Sequence, residues 1–160
     1  MGSETSRTEG GLIIRFIYTT QKEYVYIVGE TLYMDQTDYA LEDQTYAVIG
    51  AAIEVLKELG HGIHEKPYEN ALMIELGLRQ ISCEQQMRFD VIYKSAKVGE
   101  YVPDLIAAGK IIVDAKVIDR ITNHERGQMI NYLRITRLPL GLIFNFRYSK
   151  LQWERLALTR

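Results

Sequence analysis

Apolar positions divide this chain into segments of different period. From Thr45 onward, Val48, Ile49, Ala52, Ile53, Leu56 and Leu59 recur at helical spacing, and Gly60 and Gly62 end the run. A second helix is predicted over Glu65–Leu78, where Tyr68, Leu72, Ile74 and Leu76 follow the period less strictly and Gly77 stands near the end. The 60–64 segment between them reads as a tight turn. Residues 83–93, CEQQMRFDVIY, alternate in part: Met87, Phe89 and Val91 share one parity, Arg88 and Asp90 the other. That pattern predicts a half-buried strand. Strands over Val98–Ala107 and Lys110–Ile118 follow, separated by Ala108-Gly109. Ile111-Ile112-Val113 is a continuous apolar run, as in a central strand covered on both faces. Thr122 or Asn123 caps a helix running to about Ile135, with Met129, Ile130 and Leu133 inward, and Leu138-Pro139 breaks it. Gly141–Phe146 reads as another buried strand. The order is helix, helix, three strands, helix, strand: a mixed α/β chain with a short meander covered by helices.

Residues 1–40 stand apart as an N-terminal extension to a domain at 41–160. Leu12–Tyr18 and Tyr24–Val28 are β-prone runs around a polar Thr-Gln-Lys-Glu stretch, which permits a hairpin. A hairpin alone is marginal in water and must pack on something. Met34 opens a fresh polar stretch, so a natural start at Met34, with the first 33 residues upstream of it, competes with a genuine N-terminal hairpin.

Composition narrows the class. The 160 residues are 47% hydrophobic and 25% charged, which excludes a fully disordered chain. A single cysteine, Cys83, excludes an internal disulfide framework and any multi-cysteine zinc site. No run approaches the roughly 20 apolar residues that span a bilayer. The N-terminus lacks the basic start and apolar stretch of a secretory signal. The expectation is a soluble, cytoplasmic protein with no membrane partner. The net charge is −2, but residues 120–160 hold eight Lys or Arg against two acids. A basic C-terminal portion can meet phosphates; an ordinary solvated face is the competing reading.

Three polar residues sit where a sheet core should be apolar. Pro103-Asp104 falls in the second predicted strand, and Asp114 and Lys116 interrupt the third, in IIVDAKVI. Period 2 places Asp114 and Lys116 on one face. A tight Ala108-Gly109 turn pairs the two strands antiparallel and brings Asp104 close to Asp114. Two adjacent carboxylates repel, so they need a cation or a shared proton. Oxygen ligands suit a hard ion, Mg²⁺ or Mn²⁺, and the carbonyl of Ala115 would add a third. Lys116 can then orient or deprotonate a water and offset charge on a phosphate. A plain Asp–Lys ion pair is the competing explanation, although burying charges without a task is costly.

Pro103-Asp104 followed by Asp114-Ala115-Lys116 resembles the PD-(D/E)XK nuclease superfamily. Upstream, Gly62-Ile63-His64-Glu65-Lys66-Pro67-Tyr68 resembles the motif of one branch, the GxxExxY proteins. The flanking VIGAAIEVLKELGHGIHEKPYENAL and NHERGQMINYLRITRLPLGLIFNF are similar as well, so the resemblance covers about residues 43–147. It implies a restriction-endonuclease-like core, a four-stranded mixed sheet flanked by helices. It implies Asp104 and Asp114 as metal ligands, Lys116 as the catalytic lysine, and Glu65 as the helix acid that completes the metal site. Glu65 and Tyr68, at i and i+3, share a helix face. Gln128 and Tyr132 match a Gln-x-x-x-Tyr on the helix after the core lysine and are candidates for phosphate contact. His124, near that helix start, is a candidate phosphate donor. Tyr132 and Trp153 are also candidates for base stacking. Tyr68 is carried as a nucleic-acid-binding candidate, and Asn145 as a polar group in a buried strand. The third-strand acid is Asp114 where the branch more often has Glu.

The resemblance implies a metal-dependent phosphodiesterase acting on nucleic acid, DNA ahead of RNA. The rival is a non-catalytic module of the same fold that binds DNA or a protein partner, which the net charge mildly favours. Specificity would come from the small core, a homodimer or a partner. A small-molecule enzyme has no motif here: there is no phosphate-cradling glycine loop and no nucleophile–His pair.

Overall fold

The computed structural model describes the backbone of residues 4–9, 12–19, 22–28 and 36–158, with side chains from residue 41 onward. Helix α1 spans Gln36–Leu59 and α2 spans Glu65–Leu78. The first helix thus starts nine residues ahead of the predicted Thr45, which lies inside it and back-bonds its hydroxyl to the Leu41 carbonyl at 2.6 Å. Gly60 and Gly62 adopt φ of +77° and +78°, a region costly for other residues, and turn the chain between the helices.

Strands β4 (Cys83–Glu84), β7 (Leu105–Ala107), β8 (Ile111–Lys116), β9 (Leu140–Asn145) and β10 (Gln152–Leu158) form the five-stranded mixed core of an eight-stranded sheet, in the order β10-β9-β8-β7-β4. Only β8 and β9 run parallel within it, joined by a crossover through α3, Asn123–Thr136. The expected sheet had four strands. Its missing member is β10, whose Glu154 and Arg155 read as part of a basic tail yet are both buried.

Two predicted strands are each split. Residues 83–93 become β4 and β5 (Phe89–Tyr93), with Gln86 at φ 60° turning the chain between them. Val98–Ala107 becomes β6 (Ala96–Tyr101) and β7, because Pro103 has no N–H to give a ladder. Strands β5 and β6 pair only with each other, as a separate hairpin.

The two faces of β8 explain the core. Ile111, Val113 and Ala115 pack with Leu142 and Phe144 under Val48, Ala52, Val55, Leu72 and Leu76 of α1 and α2. Ile112 and Ile143 face Met129, Ile130 and Leu133 of α3. Gly141 permits that second contact, since a Cβ there would land on the Met129 thioether. Helix α3 starts in a capping box: Thr122 accepts from the His124 amide while its own amide donates to Glu125 at 2.7 Å.

At the other edge, β1 (Glu4–Glu9), β2 (Leu12–Thr19) and β3 (Lys22–Val28) run antiparallel in succession, and Val25–Ile27 pair in parallel with Leu156–Leu158. The β2–β3 hairpin was legible; β1 lay in a stretch read only as polar. The alternative start at Met34 lies outside the described residues.

Candidate active site

The Ala108-Gly109 turn, with φ of 53° and 63°, closes β7 onto β8 and pairs Leu105 with Val113. One step further, Asp104 stands opposite Asp114, and their carboxyls hydrogen-bond to each other. Lys116 Nζ lies 3.1 Å from Asp114 Oδ2, as the shared face of β8 predicts. The site is recessed: the Asp114 side chain is 8% exposed and that of Lys116 25%.

The electrostatics follow from two acids facing one amine. Burial, then the Asp114 charge, pushes the Asp104 carboxyl up to about 6, against the partial relief of Lys116 and Lys66. Burial also raises Asp114; Lys116 and the hydrogen bond from Asp104 pull it down, and the Glu69 charge adds to the rise. At Lys116 burial favours the neutral amine, but Asp114 and Asp104 outweigh it and the pKa rises. A carboxyl pair in which Asp104 holds its proton up to about pH 6 is short of positive charge.

The backbone supplies a further oxygen. Phe146 donates its amide to the Lys116 carbonyl at 2.8 Å, so the peptide groups of Lys116 and Asp114 face β9. Alternation turns the Ala115 carbonyl to the opposite side, where β7 has ended at Leu105. Two carboxylates and that carbonyl are the donor types a hard divalent cation takes. Among the described residues, no group of three or more His, Cys, Asp and Glu is gathered closely enough to hold a metal ion.

Helix α2 brings two acids toward the site. Glu65 accepts the Val117 amide at 3.1 Å, tying the end of β8 to the helix. The α2 acid whose charge is felt at Asp114 is Glu69, buried and paired with Lys66 at 2.7 Å. Glu69 was missed. Its signal was an acid placed within the apolar stripe of Tyr68, Leu72 and Leu76.

The structure places Tyr68 in the core, away from any surface a nucleic acid can touch. It is 0% exposed and stacked on Phe146 at 4.2 Å; its hydroxyl donates to the Gly60 carbonyl and accepts the Ile63 amide. Asn145 is likewise consumed internally. It accepts from the Ile118 amide at 3.1 Å and donates to the Ile118 carbonyl at 2.7 Å, clamping the chain just after β8. His124 is exposed in the first turn of α3, and no described contact ties it to the acid pair.

Tyr132 does stand beside the acids. It is hydrogen-bonded to Gln128, and burial, then the Asp114 charge, raises its hydroxyl pKa. Tyr101, at the end of β6, stacks on it with ring centroids 3.9 Å apart and planes 14° from parallel. Burial, Tyr132 and both acids push the Tyr101 hydroxyl far up. Sequence gave no signal for Tyr101 beyond its place three residues before Asp104. Cys83 sits half-buried in β4, its thiol pushed up to about 11 by burial and by Glu84. His61 hydrogen-bonds through Nδ1 to the Arg147 carbonyl at 3.2 Å.

No helix among the described residues is long and apolar enough to cross a membrane. A search of curated proteins and one of solved structures gave no match. The family model of the PD-(D/E)XK nuclease superfamily matches residues 42–156, which includes every strand of the five-stranded sheet except the last two residues of β10. The mixed sheet with α1 and α2 on one face and α3 on the other agrees with a restriction-endonuclease-like fold. On a match over well more than half of its length, the chain belongs to the PD-(D/E)XK nuclease superfamily.

Proposed function

We propose that this protein is a metal-dependent phosphodiesterase that hydrolyses nucleic acid, DNA ahead of RNA. One observation carries the reading: two hydrogen-bonded acids, Asp104 and Asp114, face a single lysine at the open end of β8. The family membership makes nuclease chemistry the prior, and divalent metals are general in that superfamily.

Asp104, Asp114 and the Ala115 carbonyl would hold Mg²⁺ or Mn²⁺. Glu65, expected to complete the site, engages the Val117 amide with one oxygen and keeps the other, and Glu69 adds negative charge nearby. Bound there, the cation supplies positive charge to a phosphoryl oxygen and acidifies a water. Asp114 fixes the Lys116 amine, which orients the attacking water and donates to the phosphate. Glu65 and Asn145 hold the two residues that follow Lys116, Val117 and Ile118, and limit its excursions.

The GxxExxY branch is the finer assignment. Gly62 supports it with a left-handed turn, Glu65 with its grip on β8, and Tyr68 with its buried stack. On this reading the motif builds the site without touching substrate. We also place residues 1–40 outside the catalytic domain, in line with a family match that begins at 42.

Labelled single- and double-stranded DNA and RNA, incubated with Mg²⁺, Mn²⁺ or EDTA, test this reading. Cleavage should need metal and should fall about 10³-fold in Lys116→Ala. Absence of cleavage on every substrate, with the fold intact, would overturn it and favour the non-catalytic module.

A further inference from the structure

Several cations of the described residues are committed to ion pairs. Lys66 pairs with Glu69, Lys97 with Asp90 and Glu100, Arg88 with Glu100, Arg126 with Glu154, and Arg147 with Asp119. Part of the basic C-terminal portion is the core strand β10, with Arg155 buried, while Arg120, Arg134, Arg137 and Lys150 stay exposed. Those exposed cations serve any phosphate chain, single- or double-stranded, so a preference between the two needs another source.

The other source stands next to the acids. Tyr101 and Tyr132 come from different elements, the β5–β6 hairpin and α3, and their stack joins those elements. Both rings are partly exposed and lie within electrostatic reach of Asp104 and Asp114. Tyr101 leads directly through Val102-Pro103 into Asp104, so a strand whose phosphate lies at the acids passes the aromatic pair. An aromatic face stacks on any base, but a base inside a duplex has both faces covered by its neighbours.

From this juxtaposition we infer that the Tyr101–Tyr132 pair is a stacking platform for an unpaired base beside the scissile phosphate. The substrate is then single-stranded nucleic acid or a frayed, unpaired end. The inference rests on the proposed phosphodiesterase reading but makes a claim about binding alone.

Binding separates the two. A single-stranded DNA 12-mer carrying 2-aminopurine, and the same strand in a duplex, are titrated with the protein in EDTA. The single strand should bind more tightly, with quenched 2-aminopurine fluorescence. Tyr101→Leu should weaken single-strand binding about tenfold and relieve the quenching. Tyr101→Phe, which keeps the ring, should stay within about twofold of wild type and controls for folding. Equal or tighter duplex binding, or equal behaviour of the Leu and Phe variants, would overturn the inference. Single-strand binding with quenching but no cleavage in any metal would sink the phosphodiesterase reading and leave the platform standing.

Discussion

Two charged clusters are fixed on the α3 side of the sheet, and their balance differs. Arg126 meets Glu154 through two parallel hydrogen bonds of 2.6 and 2.5 Å, one cation against one acid, and reaches Asn123 at 3.0 Å. That geometry is the bidentate form that offsets the cost of burial best. At the end of β8, Lys116, with smaller relief from Lys66, faces Asp104 and Asp114, and Glu69 adds to the excess. The first cluster is complete as it stands. The second carries an excess of negative charge, which a cation or a shared proton relieves. On the proposed reading, buried charge is not by itself the mark of function; unbalanced buried charge is.

The difference is sharpest in a pair of substitutions. Lys116→Ala should remove cleavage, by about 10³-fold, while the chain stays folded by circular dichroism. Arg126→Ala should do the reverse. It leaves Glu154 partly buried and unpaired, costing about 3 kcal/mol in urea denaturation, with turnover per folded molecule unchanged. Loss of turnover in folded Arg126→Ala would blur the comparison by showing that the structural pair also serves the site.

Both clusters show what sequence could and could not convey. Asp104 beside Asp114 was legible because a two-residue turn, Ala108-Gly109, makes the pairing local. Helices α2 and α3 were legible for the same reason: their starts, stops and caps lie within a few residues of each other. Strand β10 was not, since Glu154 belongs inside only because Arg126, 28 residues away, meets it there. The Tyr101–Tyr132 stack also depends on a contact between distant elements. The position of Glu65 in the motif was legible, while the Val117 amide that engages one of its oxygens was not.

Packing offers a control on the α3 side. Gly141 of β9 lies against Met129, and an added methyl must push that side chain aside. Gly141→Ala should cost about 2 kcal/mol, less than the loss of Arg126. If it cost more, contact with the sheet rather than the ion pair would be the stronger attachment of α3. Urea midpoints of the two variants, measured together, decide the order.

The smallest effect bears most directly on the unbalanced cluster. In the fold, burial and Asp114 raise Asp104 from the ordinary 3.8 to about 6. Below pH 4 the carboxyl is protonated in both folded and unfolded chains and contributes nothing to stability. As pH rises from about 4 to 6, the unfolded chain releases that proton while the folded chain keeps it, so stability falls. Above 6 both states are ionised and the full penalty remains. Asp104→Asn should therefore stabilise the metal-free protein at pH 7 by about 1 kcal/mol, a modest figure because the side chain is only partly shielded from water. The gain should vanish by pH 4. Adding Mn²⁺ should narrow it from the other side, since a cation that binds the wild-type acids stabilises the fold by mass action. A wild-type protein as stable as Asp104→Asn across that range would mean that the acids are already balanced, and that the two clusters are alike.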